Sequence, residues 1–357
     1  GLGDVYKRQG YGMPSFTLLG SRVIRLPFIL HTSLPHEIVH NWWGNGVYID
    51  FADGNWSEGL TAYLSDHLDS EQRGQGAAYR RKALERYANF AAQGRDFPLS
   101  QFRSRHSDAS QAVGYSKSMM LFHMLRQNLG EEDFKQRIRQ LWQRYQFQTA
   151  SYRDIIRTFY SDDTQAYEAF VAQWLYRIGA PIVSLGKVQV SETTTGYRLT
   201  MVVNQDQTTP AYSMQVPVNV TLNSTETPIR KVINLTDRHS QISLDLEQSP
   251  QAITLDPDYD VFRLLHPQER PASLGRLFGA SKQLLVIPSM ANQAQIQAWQ
   301  ALAVAWSRRY KNIEVIKDNE LTEIPTDTAV WLLGWQNKLL VKNKPRFEEA
   351  NQQLYLM

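Results

Sequence analysis

The stretch that decides the reading is "LPHEIVHNWWGNG", Leu34 to Gly46, followed shortly by "NWSEGLTAYLSD" from Asn55. It sets His36 and His40 four residues apart, with Glu37 directly after the first. On a helix, residues four apart lie one above the other, so both imidazoles reach one point. Glu37 sits about a hundred degrees round. There it can reach a water held at that point without being a ligand itself. Pro35 falls in the first turn, where its missing N–H is harmless. Thr32 or Ser33 can cap the start, and Gly44 and Gly46 can end the helix.

Two imidazoles do not complete a catalytic zinc site, which takes three protein ligands and leaves one position open. A third His six residues after His40 would supply one common set, but Gly46 stands there. A Glu on the next helix would supply another. Glu58 opens the amphipathic "SEGLTAYLSD", which can pack on the first helix and bring in its carboxylate. A Glu in a first turn also simply complements the helix dipole. Asp50 and Asp53, in the loop before it, are the next acids in reach. Imidazole and carboxylate together suit zinc, and one ion per chain is expected.

"HEIVHNWWGN" followed by "WSEGLTAYLSD" resembles the aminopeptidase-N-like zinc peptidases, gluzincins of the HExxH…E type. Their spacing is eighteen residues between HExxH and Glu, where this chain has seventeen, Asn41 to Ser57. "VGYSKSMMLFHMLRQNLGEEDF" is similar to the family's later helix, whose leading Tyr steadies the oxyanion. The resemblance implies His36, His40 and Glu58 as metal ligands, Glu37 as general base and Tyr115 as oxyanion donor. A phenol can supply that hydrogen bond. "AQWLYRIGAPIVSL" and "DPDYDVFRLLHP" are similar to the family's passages into and out of its β-sandwich, so the likeness covers roughly residues 10–270. It implies an α+β multidomain chain with a mainly helical, thermolysin-like catalytic domain, and a peptide substrate.

One departure matters. The family carries a Gly-x-Met-Glu-Asn strand whose Glu binds the substrate's free amino terminus. Here the corresponding place is "GYGMPSFTLLG", Gly10 to Gly20, with Gly12 and Met13 kept and Pro14 where the Glu belongs. Gly12, Met13 and Pro14 can still line the cleft and pair with an extended peptide. Three activities stay open: an aminopeptidase, an oligopeptidase or endopeptidase that needs no free amino terminus, and a silent member that binds peptides.

Composition narrows the rest. Hydrophobic residues make up 42% and charged residues 20% of the 357 residues, as in ordinary globular chains. A net charge of +3 gives no reason to expect nucleic acid or an anionic membrane. No apolar run is long enough to cross a bilayer. The lack of cysteine excludes disulfides, thiolate ligands and a thiol nucleophile. It fits a periplasmic or exported protein and a cytosolic one equally.

Residues 1–9 read as an adapter artefact of sequencing, because "DVYKRQ" resembles a translated transposon end. Natural sequence is expected to begin near Gly10, in mid-protein. Residues 10–180 read as the catalytic domain lacking its N-terminal part. Alternating β-branched runs at 181–265 read as a small β-sandwich. Strand–helix–strand order in 274–357 suggests a partial α/β domain with a parallel sheet.

Overall fold

The structure is a computed structural model. It describes residues 10–343 apart from 15, 22–23, 26, 28, 92–93, 161–162, 223–226, 267–268, 271–272, 309–312 and 326–327. The suspected artefact at 1–9 lies outside the described residues. The chain is α+β, and its contacts divide it into two compact units, Gly1–Arg270 and Pro271–Met357.

The first unit begins with an antiparallel hairpin. Strand β1 (Gly10–Met13) pairs with β2 (Phe16–Leu19), Gly12 opposite Thr17. Helix α1 (Ser33–Val39) packs against both strands. It is shorter than its sequence suggests. Thr32 is its N-cap, but His40 is already its C-cap, four residues before the first glycine. Gly44 instead takes a φ of 118° in the following loop, donating its N–H to Val47 O. The tight return at "NWWGNG" needs that left-handed geometry, which glycine adopts without strain.

Strand β3 (Tyr48–Ile49) pairs in parallel with the distant β4 (Thr149–Ala150). Between them run α2 (Ser57–Ala62), a π-turn at Tyr63–His67 and α3 (Leu68–Gln72), one continuous helix over 57–72. Helix α4 (Gly76–Phe90) follows. Helix α5 (Asp108–Gln111), a second π-turn at Ala112–Lys117 and α6 (Ser118–Leu129) form another continuous run. Helix α6 buries every residue from Ser118 to Leu125, which marks it as the central helix. Helix α7 (Glu131–Tyr145) opens on three acids, which favours its start, and fully buries only Phe134 and Leu141. Helices α8 (Tyr152–Tyr160) and α9 (Thr164–Trp174) pack on each other and complete the helical part.

Six strands follow: β5 (Val183–Thr193), β6 (Gly196–Gln205), β7 (Met214–Leu222), β8 (Ile229–Leu235), β9 (His239–Leu246) and β10 (Pro250–Leu255). They form two antiparallel sheets, ordered β5-β6-β9 and β10-β7-β8. Alternate residues of β6 and β7 point inward: Leu199, Met201 and Val203 from one sheet, Val216, Val218 and Val220 from the other. They join a single apolar cluster that also holds Trp56, Leu60, Leu84, Phe122 and Trp174 from the helices.

In the second unit, after α10 (Leu274–Gly279), strands β11 (Gln283–Ile287), β12 (Ile313–Lys317) and β13 (Ala329–Leu332) form a parallel sheet ordered β12-β11-β13. Helix α11 (Gln293–Ser307) makes the crossover, with Asn292 and Gln295 forming a capping box, and α12 (Lys338–Lys342) follows β13. Central β11 is buried along its whole length, Leu285 and Ile287 in one apolar cluster and Leu284 and Val286 in another. That is the pattern of a parallel strand covered on both faces. Among the described residues no helix is long and apolar enough to cross a membrane.

Candidate metal centre

The structure brings His36, His40 and Glu58 together, one ligand atom of each lying within 4.8 Å of the others. Glu58 Oε2 stands 3.4 Å from Nε2 of both histidines. The rings meet edge to face with centroids 4.8 Å apart. Helix α1 supplies the four-residue spacing, since His40 N–H still donates to His36 O at 3.2 Å. The first turn of α2 supplies the carboxylate.

The outer nitrogens of both imidazoles are occupied. His36 Nδ1 lies 2.7 Å from Asp66 Oδ2. His40 Nδ1 lies 2.9 Å from Trp43 O, with Ser57 Oγ at 3.3 Å and Thr61 Oγ1 at 3.4 Å. A carbonyl only accepts, so Nδ1 of His40 carries its proton and Nε2 offers a lone pair. Asp66 does the same for His36.

Charge follows the same plan. Burial opposes an imidazolium at His36, but the Asp66 and Glu58 carboxylates outweigh it and push this group up to about 10. Burial likewise raises Glu58, yet His36 and His40 hold its carboxyl well below the usual carboxylate range. The surroundings therefore favour a positive charge on Nε2, which a proton or a divalent cation can supply. Two neutral imidazoles plus one ionised carboxylate are a fitting donor set for a metal ion.

Glu37 stands beside this cluster without joining it. Burial raises its pKa, while His36, His40 and the N–H of Gly12 draw it down. Gly12 fits because it has no side chain: a Cβ there would lie 2.8 Å from Glu37 O and 2.8 Å from His40 Cβ. Asn45 Nδ2 donates to Gly12 O at 3.1 Å and holds the strand in place. Met13 and Pro14, next along, are exposed. Tyr115 lies in the second π-turn, its ring stacked toward His36 at 6.1 Å and edge-on to Phe102 at 6.1 Å. Burial, then the Glu58 carboxylate, hold its phenol far above the ordinary tyrosine range.

The other acids in the preceding loop are otherwise engaged. Asp50 accepts from Ala52 N–H and Asp53 from the Tyr176 hydroxyl. Asp66 is the residue that the sequence reading missed. A cavity of 420 Å³ lined by Met124, Trp174, Gln215 and Arg230 shares no residue with this centre.

Residues 30–174 match the model of the Peptidase family M1 domain. This segment belongs to peptidase family M1. The M1 segment holds all of His36, Glu37, His40, Glu58 and Tyr115, while Gly12, Met13 and Pro14 precede it. Among curated relatives, "Aminopeptidase 2, mitochondrial" of Saccharomyces cerevisiae is 23% identical over 258 residues, covering 68% of this chain and 26% of the relative. "Aminopeptidase N" of Lactococcus lactis subsp. lactis is 25% identical over 158 residues, covering 42% of this chain and 19% of the relative. The chain thus spans about a quarter or less of the length of these relatives. A solved structure, Legionella pneumophila aminopeptidase A in complex with aspartic acid, is 16% identical over 68% of this chain and 27% of that one, with a TM-score of 0.44.

Proposed function

We propose that the chain is the catalytic part of a zinc-dependent peptidase, of aminopeptidase type, that hydrolyses peptide bonds with a water nucleophile. The observation that carries this reading is the meeting of His36, His40 and Glu58, with Glu37 and Tyr115 beside them, inside an M1 segment. In this reading residues 10–180 are the gluzincin catalytic domain, 181–265 a β-sandwich and 274–357 an α/β domain.

His36, His40 and Glu58 hold the ion, and zinc bound there supplies Lewis acidity. Glu37 takes a proton from the attacking water and returns it to the leaving amine. Its raised pKa suits both steps, since a carboxylate too acidic would not carry the proton on. Tyr115 stays protonated and donates to the oxygen on which charge develops. Gly12 and Met13 of strand β1, with Pro14 in the turn after it, would line the cleft near Glu37 and pair with an extended peptide backbone.

One observation favours a second reading. Pro14 stands where the resembled family has its amine-binding Glu. An ammonium with no carboxylate partner is costly in a closed site. An oligopeptidase would not meet that cost.

The test compares free and N-acetylated peptides with zinc-loaded full-length protein, wild type beside Glu37→Gln. The expected result is cleavage of the free peptide, lost by about 10²-fold or more in the variant while zinc stays bound. Equal turnover of the acetylated peptide would move the assignment to an oligopeptidase. Binding of both peptides without cleavage would leave a silent peptide-binding member.

A further inference from the structure

Lys117 lies two residues beyond Tyr115, at the end of the π-turn, and is 2% exposed. Side chains two apart on a helical turn project to opposite sides. Tyr115 faces the metal centre and Lys117 faces away. Its Nζ lies 3.7 Å from Asp96 Oδ2, donates to Arg177 O at 3.1 Å and stands 3.5 Å from Gly179 O. An ammonium has three donors, and three acceptors meet it here. Asp96 is itself tied down by the Tyr87 hydroxyl at 2.7 Å, Gly179 N–H at 2.6 Å and Phe97 N–H at 2.8 Å.

Burying an ion pair is costly and seldom adds net stability, so such a pair is better explained by what it holds in place. A π-turn is a rare distortion that is frequent at functional sites. Here two contacts bracket it. On one side Gly114 lies so close under Phe102 that a Cβ would come within 2.1 Å of the ring. On the other, Lys117 is pinned to Asp96 and to two carbonyls beyond α9. Tyr115 sits between these clamps.

We propose that Lys117 is a positioning residue for Tyr115: its pinned ammonium fixes the π-turn that sets the phenol beside the metal ligands. The inference rests on the reading of Tyr115 as oxyanion donor. A methionine of similar length would fill the space but take the cation from beside Asp96 and the ammonium donor from both carbonyls. The phenol would then lose its fixed direction, while the ligands on α1 and α2 stay in place.

Lys117→Met, Lys117→Arg and Tyr115→Phe, with the double variant Lys117→Met/Tyr115→Phe, test this in the full-length protein on a peptide substrate. Lys117→Met should lower kcat at least tenfold, with KM and zinc content at wild-type values, and Lys117→Arg should recover most of it. In the Tyr115→Phe background Lys117→Met should cost nothing further. Wild-type kcat in folded Lys117→Met, an equal loss in both backgrounds, or zinc lost in step with kcat would each overturn the proposal. Should Lys117→Met fail to fold by circular dichroism, Asp96→Asn carries the same expectations. If neither folds, the pair is a stability element and the proposal fails. Wild-type kcat in Tyr115→Phe alone would overturn the reading of Tyr115 itself, and this proposal with it.

Discussion

Asp66 shows how a single residue can matter to a site without belonging to its motif. It lies eight positions after Glu58, and residues eight apart on a regular α-helix are about 80° apart. The π-turn at Tyr63–His67 inserts one extra residue, so Asp66 takes the place of a seventh residue and returns to the face of Glu58. From there it holds His36 Nδ1 at 2.7 Å. Such outer partners orient a ligand and raise its basicity. Asp66→Ala is expected to weaken zinc binding about 10- to 100-fold in competition with a chelator. An unchanged Kd would detach Asp66 from the centre.

At the scale of elements, the decisive contact is between α2, which carries Glu58, and α6, whose leading π-turn carries Tyr115. They cross at Gly59 and Ser118. A Cβ on Gly59 would lie 1.7 Å from Ser118 Oγ and 3.0 Å from the Ser118 carbonyl carbon. The hydroxyl could rotate away, but the backbone could not. Gly59→Ala should therefore push the helices apart, lowering stability by about 1–3 kcal/mol in urea unfolding. Zinc affinity should fall with it, because Glu58 moves with α2. A variant with wild-type unfolding and wild-type affinity would show that the crossing is loose. The reading of "SEGLTAYLSD" as a helix bearing Glu58 foresaw the element, whereas the reason for its glycine lies in a helix sixty residues away.

At the scale of the whole first unit, a buried polar network ties the helices to the segment after β10. Arg80 donates to His67 Nε2 at 2.9 Å and pairs with Asp260 at 3.0 Å. His123 bridges Tyr63 and Asp260, at 3.2 and 2.9 Å. Burial first, then the neighbouring His123 and the Arg80 and Arg126 cations, pull His67 down to about 2. Its folded pKa lies below its unfolded one of 6.5. Its contribution to stability is therefore complete above pH 6.5 and is lost as pH falls from 6.5 toward about 2. The loss is about 1.4 kcal/mol per pH unit for one such group. Urea unfolding at pH 7.5, 6 and 5 should show this slope in the wild type and a shallower one in His67→Gln. Parallel slopes would assign the acid sensitivity to other groups.

The amino-acid sequence by itself determined the local chemistry: two histidines at helical spacing, a glutamate between them and a second one opening the next helix. Those readings depend on periodicities that hold within one element. Alternation in 181–265 and strand–helix–strand order in 274–357 were legible for the same reason. Where α1 ends was not, because Asn41 and Trp42 already donate to the carbonyls three residues back, Ile38 O and Val39 O, before Gly44 is reached. Tertiary structure alone decided the rest. Asp66, Gly59, Gly114 and Lys117 act through partners far along the chain or through π-turns that no spacing rule announces. Their meaning is a matter of close approach and of where a buried charge finds its acceptors, and both exist only once the helices have packed.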